Sequence, residues 1–231
     1  MKNKKIIILT LIILIVFIII ITVQGCIIWN MKQEQNNKNN SNTINQNKVT
    51  YTETEDSKKF KQEYESLNNT SAEKDGEKYI SVNIPKENPI IYVTLEELLN
   101  VINSDEESYI YICRANSPFG RAIIEPLLNV LQDLGIEKLY YLDIGEGITF
   151  KDEAQKQEIM NQLAEKGVIT KNEDGSDSWN IPLIAKTLSG KVLAQSTGTG
   201  VTYNEGQSYY SELTEDQKQE VYNEYYELLK D

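Results

Sequence analysis

The residues best suited to chemistry in this chain are its two cysteines, Cys26 and Cys113. They cannot form a structural disulfide framework, because Cys26 lies in a strongly hydrophobic N-terminal run and Cys113 lies in the body of the chain. The sequence contains no histidine. Serine–histidine and cysteine–histidine catalysis within this chain are therefore excluded, and the commonest zinc ligand is missing. The sequence predicts no metal and no other cofactor.

Cys113 is the single thiol after the hydrophobic run, and Arg114 follows it directly. One interpretation is a buried structural cysteine, since unpaired cysteine is among the most buried residue types. The other is a thiol near the surface that forms a mixed disulfide, its pKa lowered by Arg114, Arg121 or a helix N-terminus. No second cysteine in this region could resolve such a disulfide.

The hydrophobic run extends from Ile6 to Trp29, and its 24 residues include no charge. A helix of about 20 apolar residues is long enough to span a bilayer. Lys2, Lys4 and Lys5 directly precede the run, so the positive-inside rule predicts a cytoplasmic stub at residues 1–5 and an extracellular C-terminal domain. The chain is thus expected to be a single-pass protein of the cell membrane.

An alternative interpretation of the same segment remains open. Val23-Gln24-Gly25-Cys26 resembles a bacterial lipobox, in which the cysteine becomes the site of lipid attachment. Cleavage there would leave a lipoprotein anchored at Cys26 in place of an uncleaved helix. Both interpretations place the rest of the chain on the extracellular side of the membrane.

Residues 30–57 are almost entirely polar and are predicted to be a disordered linker, because they cannot bury enough apolar surface to order themselves. Residues 58–231 are predicted to form one domain with its core at 79–231. The formal net charge is −12, and the part after residue 29 carries 20 basic against 35 acidic residues. Such an acidic domain repels nucleic acid and anionic lipid, so neither is an expected partner.

Strand and helix patterns alternate along the domain, which predicts an α/β sheet covered by helices on both faces. Short apolar or alternating runs predict strands. Capping residues, apolar stripes and terminal glycines predict helices. The predicted strands are Tyr79–Ile84, Ile90–Val93, Ser108–Cys113, Ile136–Ile144 and a hairpin of Ile181–Thr187 with Lys191–Gln195; the predicted helices follow Thr94, cover Arg121–Leu134 and Lys151–Lys166, and follow Thr214.

The C-terminal region is rich in tyrosine, at positions 209, 210, 222, 225 and 226. Some of these side chains must pack inward, and any that stay exposed are suited to a contact surface. Gly198-Thr199-Gly200 lacks the lysine and the following helix of a phosphate-binding loop.

The stretch YIYICRANSPFGRAIIEPLLNVLQDLGIEKLYYLDI, residues 109–144, resembles the core of the thioredoxin fold. In that family a central strand runs into a Cys-x-x-Cys turn at the start of a long helix. Ser117-Pro118-Phe119-Gly120-Arg121 is similar to Cys-Pro-x-Cys-Arg with both cysteines replaced, and Pro126 resembles the proline that kinks the family's helix. Ile181-Pro182 resembles the family's cis-proline, which lies opposite that turn. The resemblance covers residues 79–231.

The resemblance implies a membrane-tethered thioredoxin-like protein of Gram-positive bacteria, similar to bacteriocin-transport accessory proteins. A serine at position 117 is a far poorer nucleophile than a thiolate, and Gly120 cannot resolve a mixed disulfide. The degenerate site Ser117, Pro118, Phe119 and Gly120 is therefore not expected to be catalytic.

Two functions follow from the resemblance. The first is a binding or accessory module, in which Ser117, Pro118, Phe119, Ile181 and Pro182 bind an extracytoplasmic protein or peptide. The second is a single-thiol oxidoreductase that acts through Cys113 on extracytoplasmic protein thiols.

Overall fold

The structure is a computed structural model that describes residues 48–72, 76–145 and 147–230. The predicted cytoplasmic stub, membrane helix, lipid-attachment residue Cys26 and most of the predicted linker lie outside these residues. Among the residues described, no helix is both long enough and apolar enough to cross a bilayer. Asn47–Asp231 clusters as one unit.

Seven strands are present in the described residues. They are β1 Ile90–Tyr92, β2 Ser108–Cys113, β3 Leu139–Asp143, β4 Thr170–Lys171, β5 Asp177–Ser178, β6 Leu183–Leu188 and β7 Lys191–Thr197. Five form the central sheet in the order β1-β3-β2-β6-β7, and β4 pairs only with β5. Strands β1, β3 and β2 are parallel, whereas β6 and β7 run antiparallel to their neighbours. β2 is thus the middle strand of the sheet, as the sequence predicts.

Helices cover both faces of this sheet. They are α1 Glu55–Ser66, α2 Leu95–Asn103, α3 Pro118–Leu134, α4 Glu153–Glu165 and α5 Glu215–Leu229. The apolar residues of α1, α3 and α5 share one core, and those of α2 and α4 share the other. Along β2, Tyr111 and Cys113 belong to the first core and Ile110 and Ile112 to the second, because successive strand side chains point to opposite faces.

Local sequence signals account for most element ends. Thr94 begins α2 with the predicted capping box, in which Glu97 accepts from the Thr94 backbone N–H at 2.8 Å. α3 ends at Gly135, which has a left-handed φ of 74°. Ser189 and Gly190 both have positive φ and form the two-residue turn between β6 and β7.

The described fold includes residues on the N-terminal side of Lys58, where the sequence predicts linker. Helix α1 begins at Glu55, and Thr54 caps it. The Val49 N–H donates to the Gln132 carbonyl at 3.1 Å, and the Tyr51 hydroxyl donates to the Ile136 carbonyl at 2.9 Å. These two contacts attach the segment before α1 to the C-terminal end of α3.

The segment Tyr79–Ile84 is extended but is not a strand of the sheet, contrary to the sequence prediction. Its alternation is real, since Ile80, Val82 and Ile84 are buried. Side chains take the place of a neighbouring strand: the Val82 N–H donates to Asn68 Oδ1 at 3.0 Å, and the Ile84 N–H donates to Glu65 Oε1 at 2.9 Å. The alternation of Tyr79–Ile84 predicted the buried face of this segment correctly, but its pairing as a strand of the sheet was wrong.

Arg121 ties this segment to the rest of the domain, and its side chain is only 1% exposed. Its guanidinium donates to the carbonyls of Ile80 and Tyr64, each at 2.7 Å, and to that of Ala115 at 3.2 Å. A fourth bond, of 2.7 Å, goes to Asn68 Oδ1. Burial lowers the pKa of Arg121. Its bonds connect α1, the extended segment and the turn before α3.

We predict that Arg121→Met destabilises the domain by roughly 3–5 kcal/mol, because it leaves buried carbonyls without donors. The measurement is urea unfolding of a fragment of residues 47–231. Arg114→Met is the matched control, since Arg114 is exposed and is the other arginine of the chain. Equal stability of the two variants would contradict the role assigned to Arg121.

Candidate functional site

The turn between β2 and α3 carries the degenerate Ser-Pro-Phe-Gly segment. Ser117 is the N-cap of α3, and its hydroxyl oxygen accepts from the Gly120 N–H at 3.2 Å. Pro118 occupies the first helical position, where its missing N–H costs nothing. Ser117 is only 3% exposed. Its hydroxyl is therefore a buried helix cap and is not presented to a substrate.

Cys113 lies directly beneath this turn and is fully buried. Its thiol donates weakly to the Arg114 carbonyl at 3.6 Å. Burial raises the pKa of the Cys113 thiol, and this effect exceeds the opposing influence of nearby hydroxyls, chiefly that of Tyr111. The arrangement matches the first interpretation of Cys113 and lacks the exposure that the second requires.

The sulfur of Cys113 occupies the space that a side chain at position 120 would need. A Cβ added to Gly120 would lie 2.4 Å from Cys113 Sγ and 3.2 Å from the Tyr111 hydroxyl oxygen. Outside their own residue and its chain neighbours, Cβ atoms essentially never come within 3.0 Å of a heavy atom. Glycine at 120 thus allows the first turn of α3 to pack directly on the end of β2.

A layer of buried tyrosines surrounds this thiol. The hydroxyls of Tyr64 and Tyr111 are 3.0 Å apart, and the Tyr111 ring stacks on Tyr141 with centroids 5.2 Å apart. Burial raises the pKa of each of the phenols of Tyr64, Tyr111 and Tyr141 well above the ordinary value for tyrosine. They stay protonated at neutral pH, so none of them offers a base to the thiol.

The Ile181–Pro182 peptide bond is cis, as the resemblance implies. Pairing of Ile112 with Leu183 brings Pro182 next to the end of β2, where the Ser117 turn begins. The Gly198 N–H donates to the Pro182 carbonyl at 2.9 Å and holds the segment after β7 against this bond. The cis bond and the turn therefore lie at the same edge of the sheet.

A groove of about 620 Å³ opens at this edge. Its lining residues are Phe119, Asn180, Ile181, residues 197–203 and Tyr209. Two of the five predicted binding residues, Phe119 and Ile181, line this groove. Ser117, Pro118 and Pro182 are not among its lining residues, and Ser117 and Pro182 are buried.

Three aromatic rings form one wall of the groove. The ring centroid of Tyr209 is 5.0 Å from that of Phe119 and 5.1 Å from that of Tyr203. Tyr209 is 55% exposed, an unusual position for so large a ring. Sequence reasoning missed Tyr203, Asn180 and the 197–203 segment. The tyrosine-rich stretch near residue 209 was the one sequence feature that indicated these residues, and it predicted only a general contact surface.

The 197–203 segment keeps its shape through glycine. Gly200 has a φ of 70°, and a Cβ there would lie 1.6 Å from Glu224 Oε2. Glu224 in turn accepts a hydrogen bond from the Ser196 hydroxyl.

Among the described residues no three His, Cys, Asp or Glu side chains form a metal-binding group.

We predict that Gly120→Ala destabilises the 47–231 fragment by about 2 kcal/mol, although alanine is normally the better helix residue. In a Cys113→Ala background the same substitution should be close to neutral, because the sulfur no longer blocks the methyl group. The measurement is a double-mutant cycle of unfolding free energies, with an expected coupling of at least about 1 kcal/mol. Additive effects would mean that the two positions do not touch.

No protein-family model and no curated protein matches this chain. Solved structures similar to it include thioredoxins. Thioredoxin from Trypanosoma brucei brucei is 15% identical over 51% of this chain and 86% of its own, with a TM-score of 0.33. Thioredoxin O2 from Arabidopsis thaliana in the oxidized state is 16% identical over 48% of this chain and 84% of its own, with a TM-score of 0.32.

Proposed function

We propose that this chain is a thioredoxin-like binding or accessory module without a dithiol pair, tethered to the outer side of a Gram-positive cell membrane. Its groove holds an extended segment of an extracytoplasmic protein or peptide. The observation that carries the proposal is that Phe119 of the turn and Ile181 of the cis bond line one open groove.

Unused polar groups in the groove support a peptide as the ligand. The backbone N–H and C=O of Ile181 have no hydrogen-bond partner among the described residues. An extended peptide can satisfy both by adding itself as a strand.

The environment of Cys113 counts against the alternative of a single-thiol oxidoreductase. Thiol exchange requires an exposed thiolate. Cys113 is fully buried, burial raises the pKa of its thiol, and the N-terminal turn of α3 covers it. A substrate disulfide could not reach the sulfur without displacement of that turn.

The test uses the full-length chain in zwitterionic lipid nanodiscs and carbamidomethylated insulin B chain as the peptide. Its blocked cysteines cannot exchange, so binding reports the groove alone. We expect saturable binding that Tyr209→Ala weakens at least about tenfold, because an exposed aromatic contact is lost. Leu193→Ala is the matched control, since Leu193 is also about half exposed, at 50%, but lies outside the groove on β7.

The same preparation should not catalyse the reduction of intact insulin by an external thiol. Cys113→Ser should leave the binding of the blocked B chain unchanged. Turnover that disappears in Cys113→Ser would overturn the proposal in favour of the oxidoreductase. Binding that is equal in wild type and Tyr209→Ala would show that the groove is not the site.

The proposed topology makes a separate prediction. Trypsin added to intact cells should remove the domain, because its lysines would lie outside the membrane, and a tag at the N-terminus should stay protected. The measurement is immunoblotting of both ends after protease treatment. A mature chain that lacks residues 1–25, and that Cys26→Ala restores to full length, would favour lipid attachment over the uncleaved helix. A domain protected from trypsin until cells are lysed would contradict the extracellular location.

A further inference from the structure

The groove lining is uncharged although the chain is not. None of the lining residues is Asp, Glu, Lys or Arg, whereas 25% of the whole chain is charged. A charged side chain placed in the groove would lose water without meeting an opposite charge. The part of a ligand that lies within the groove is therefore uncharged.

Two of the segments that line the groove carry charge of a single sign, whereas the turn that carries Phe119 holds the exposed Arg114 and the buried Arg121. Residues 172–182 and 197–213 contain five acidic residues and no lysine or arginine. Asp177 pairs with Lys171, and Glu212 lies near Lys218. Glu173, Asp174 and Glu205 have no cationic partner among the described residues. Hydrogen bonds from Ser176 lower the pKa of Asp174, so it is ionised at neutral pH.

Glu205 is the acidic residue best placed to act on a ligand. It is exposed and lies in the chain between Tyr203 and Tyr209, both of which line the groove. The rings of Phe119, Tyr203 and Tyr209 pack edge to face, with centroids 5.0 to 6.3 Å apart. The open face of Tyr209 can still receive a lysine or arginine by a cation–π contact.

Resting on the proposed function, we propose that the groove selects extended segments with an uncharged centre and lysine or arginine on the flanks. The uncharged centre lies along Ile181 and the aromatic wall. The basic flanks face Glu205 and the acidic surface around the groove, which also steers them toward it. Acidic flanks would be repelled by the same surface.

The test compares three fluorescent peptides of equal length and identical apolar centre, with lysine, glutamine or glutamate flanks. Binding to the full-length chain in zwitterionic nanodiscs is measured by anisotropy, with empty nanodiscs as the blank. We expect affinities in the order lysine, glutamine, glutamate, with at least about a tenfold span at low salt. The span should shrink toward unity at about 1 M salt, where the Debye length is only about 3 Å.

Substitution locates the origin of the preference. Glu205→Gln should reduce the lysine preference about threefold and leave the glutamine-flanked peptide unaffected. Glu165→Gln is the matched control, an exposed glutamate on α4, a helix that contributes no residue to the groove, and it should change nothing. A preference that survives Glu205→Gln in full overturns the assignment to this surface.

The remaining outcomes separate the inference from the proposed function. Equal affinities for the three peptides, or tighter binding of the glutamate-flanked one, overturn the inference and leave the groove as a peptide site. Failure of all three to bind, or binding that Tyr209→Ala does not weaken, overturns the proposed function itself.

Discussion

The close approach of α3 to the end of β2 is the contact on which the site depends. Because residue 120 has no side chain, the first turn of α3 rests on the sulfur of Cys113. That position buries the Ser117 hydroxyl as a helix cap and leaves Phe119 at the groove. A bulkier residue 120 would force the turn away from the strand. The position of Phe119 in the aromatic wall of the groove and the burial of the Cys113 thiol thus have one physical cause.

The same turn is held from the other side by a buried cation. Arg121 follows Gly120 and bonds carbonyls of α1, the extended segment and Ala115, so it fixes the N-terminal part of the domain to the site. Four hydrogen bonds offset the cost of burying its charge without a carboxylate. The arginine therefore joins parts of the chain that lie far apart in sequence, a task that an apolar residue of similar size could not perform.

Much of this fold could be predicted, because its signals are local. The capping box at Thr94, the glycine end of α3 and the Ser189-Gly190 turn each need only neighbouring residues. Tyr79–Ile84 is not a strand because most of its hydrogen-bond partners are side chains of α1, of Asn68 after it and of α3, which no local pattern contains. The groove was predicted in part: Phe119 and Ile181 were named from the resemblance. Tyr203 and Tyr209 reach it only through the tertiary path of the segment after β7.

A dithiol pair at positions 117 and 120 and the groove beside them would rely on different atoms, so the absence of the first does not remove the second. Sulfur chemistry would require side chains at 117 and 120, and both positions now serve the packing of a helix terminus. The groove instead uses the backbone of Ile181, one ring from α3 and two rings from the segment after β7. The Gly198 N–H donates to the carbonyl of Pro182, next to the cis bond, and the Cys113 thiol takes no part in this contact. A chain without thiols at positions 117 and 120 can therefore still present a groove at this edge of the sheet.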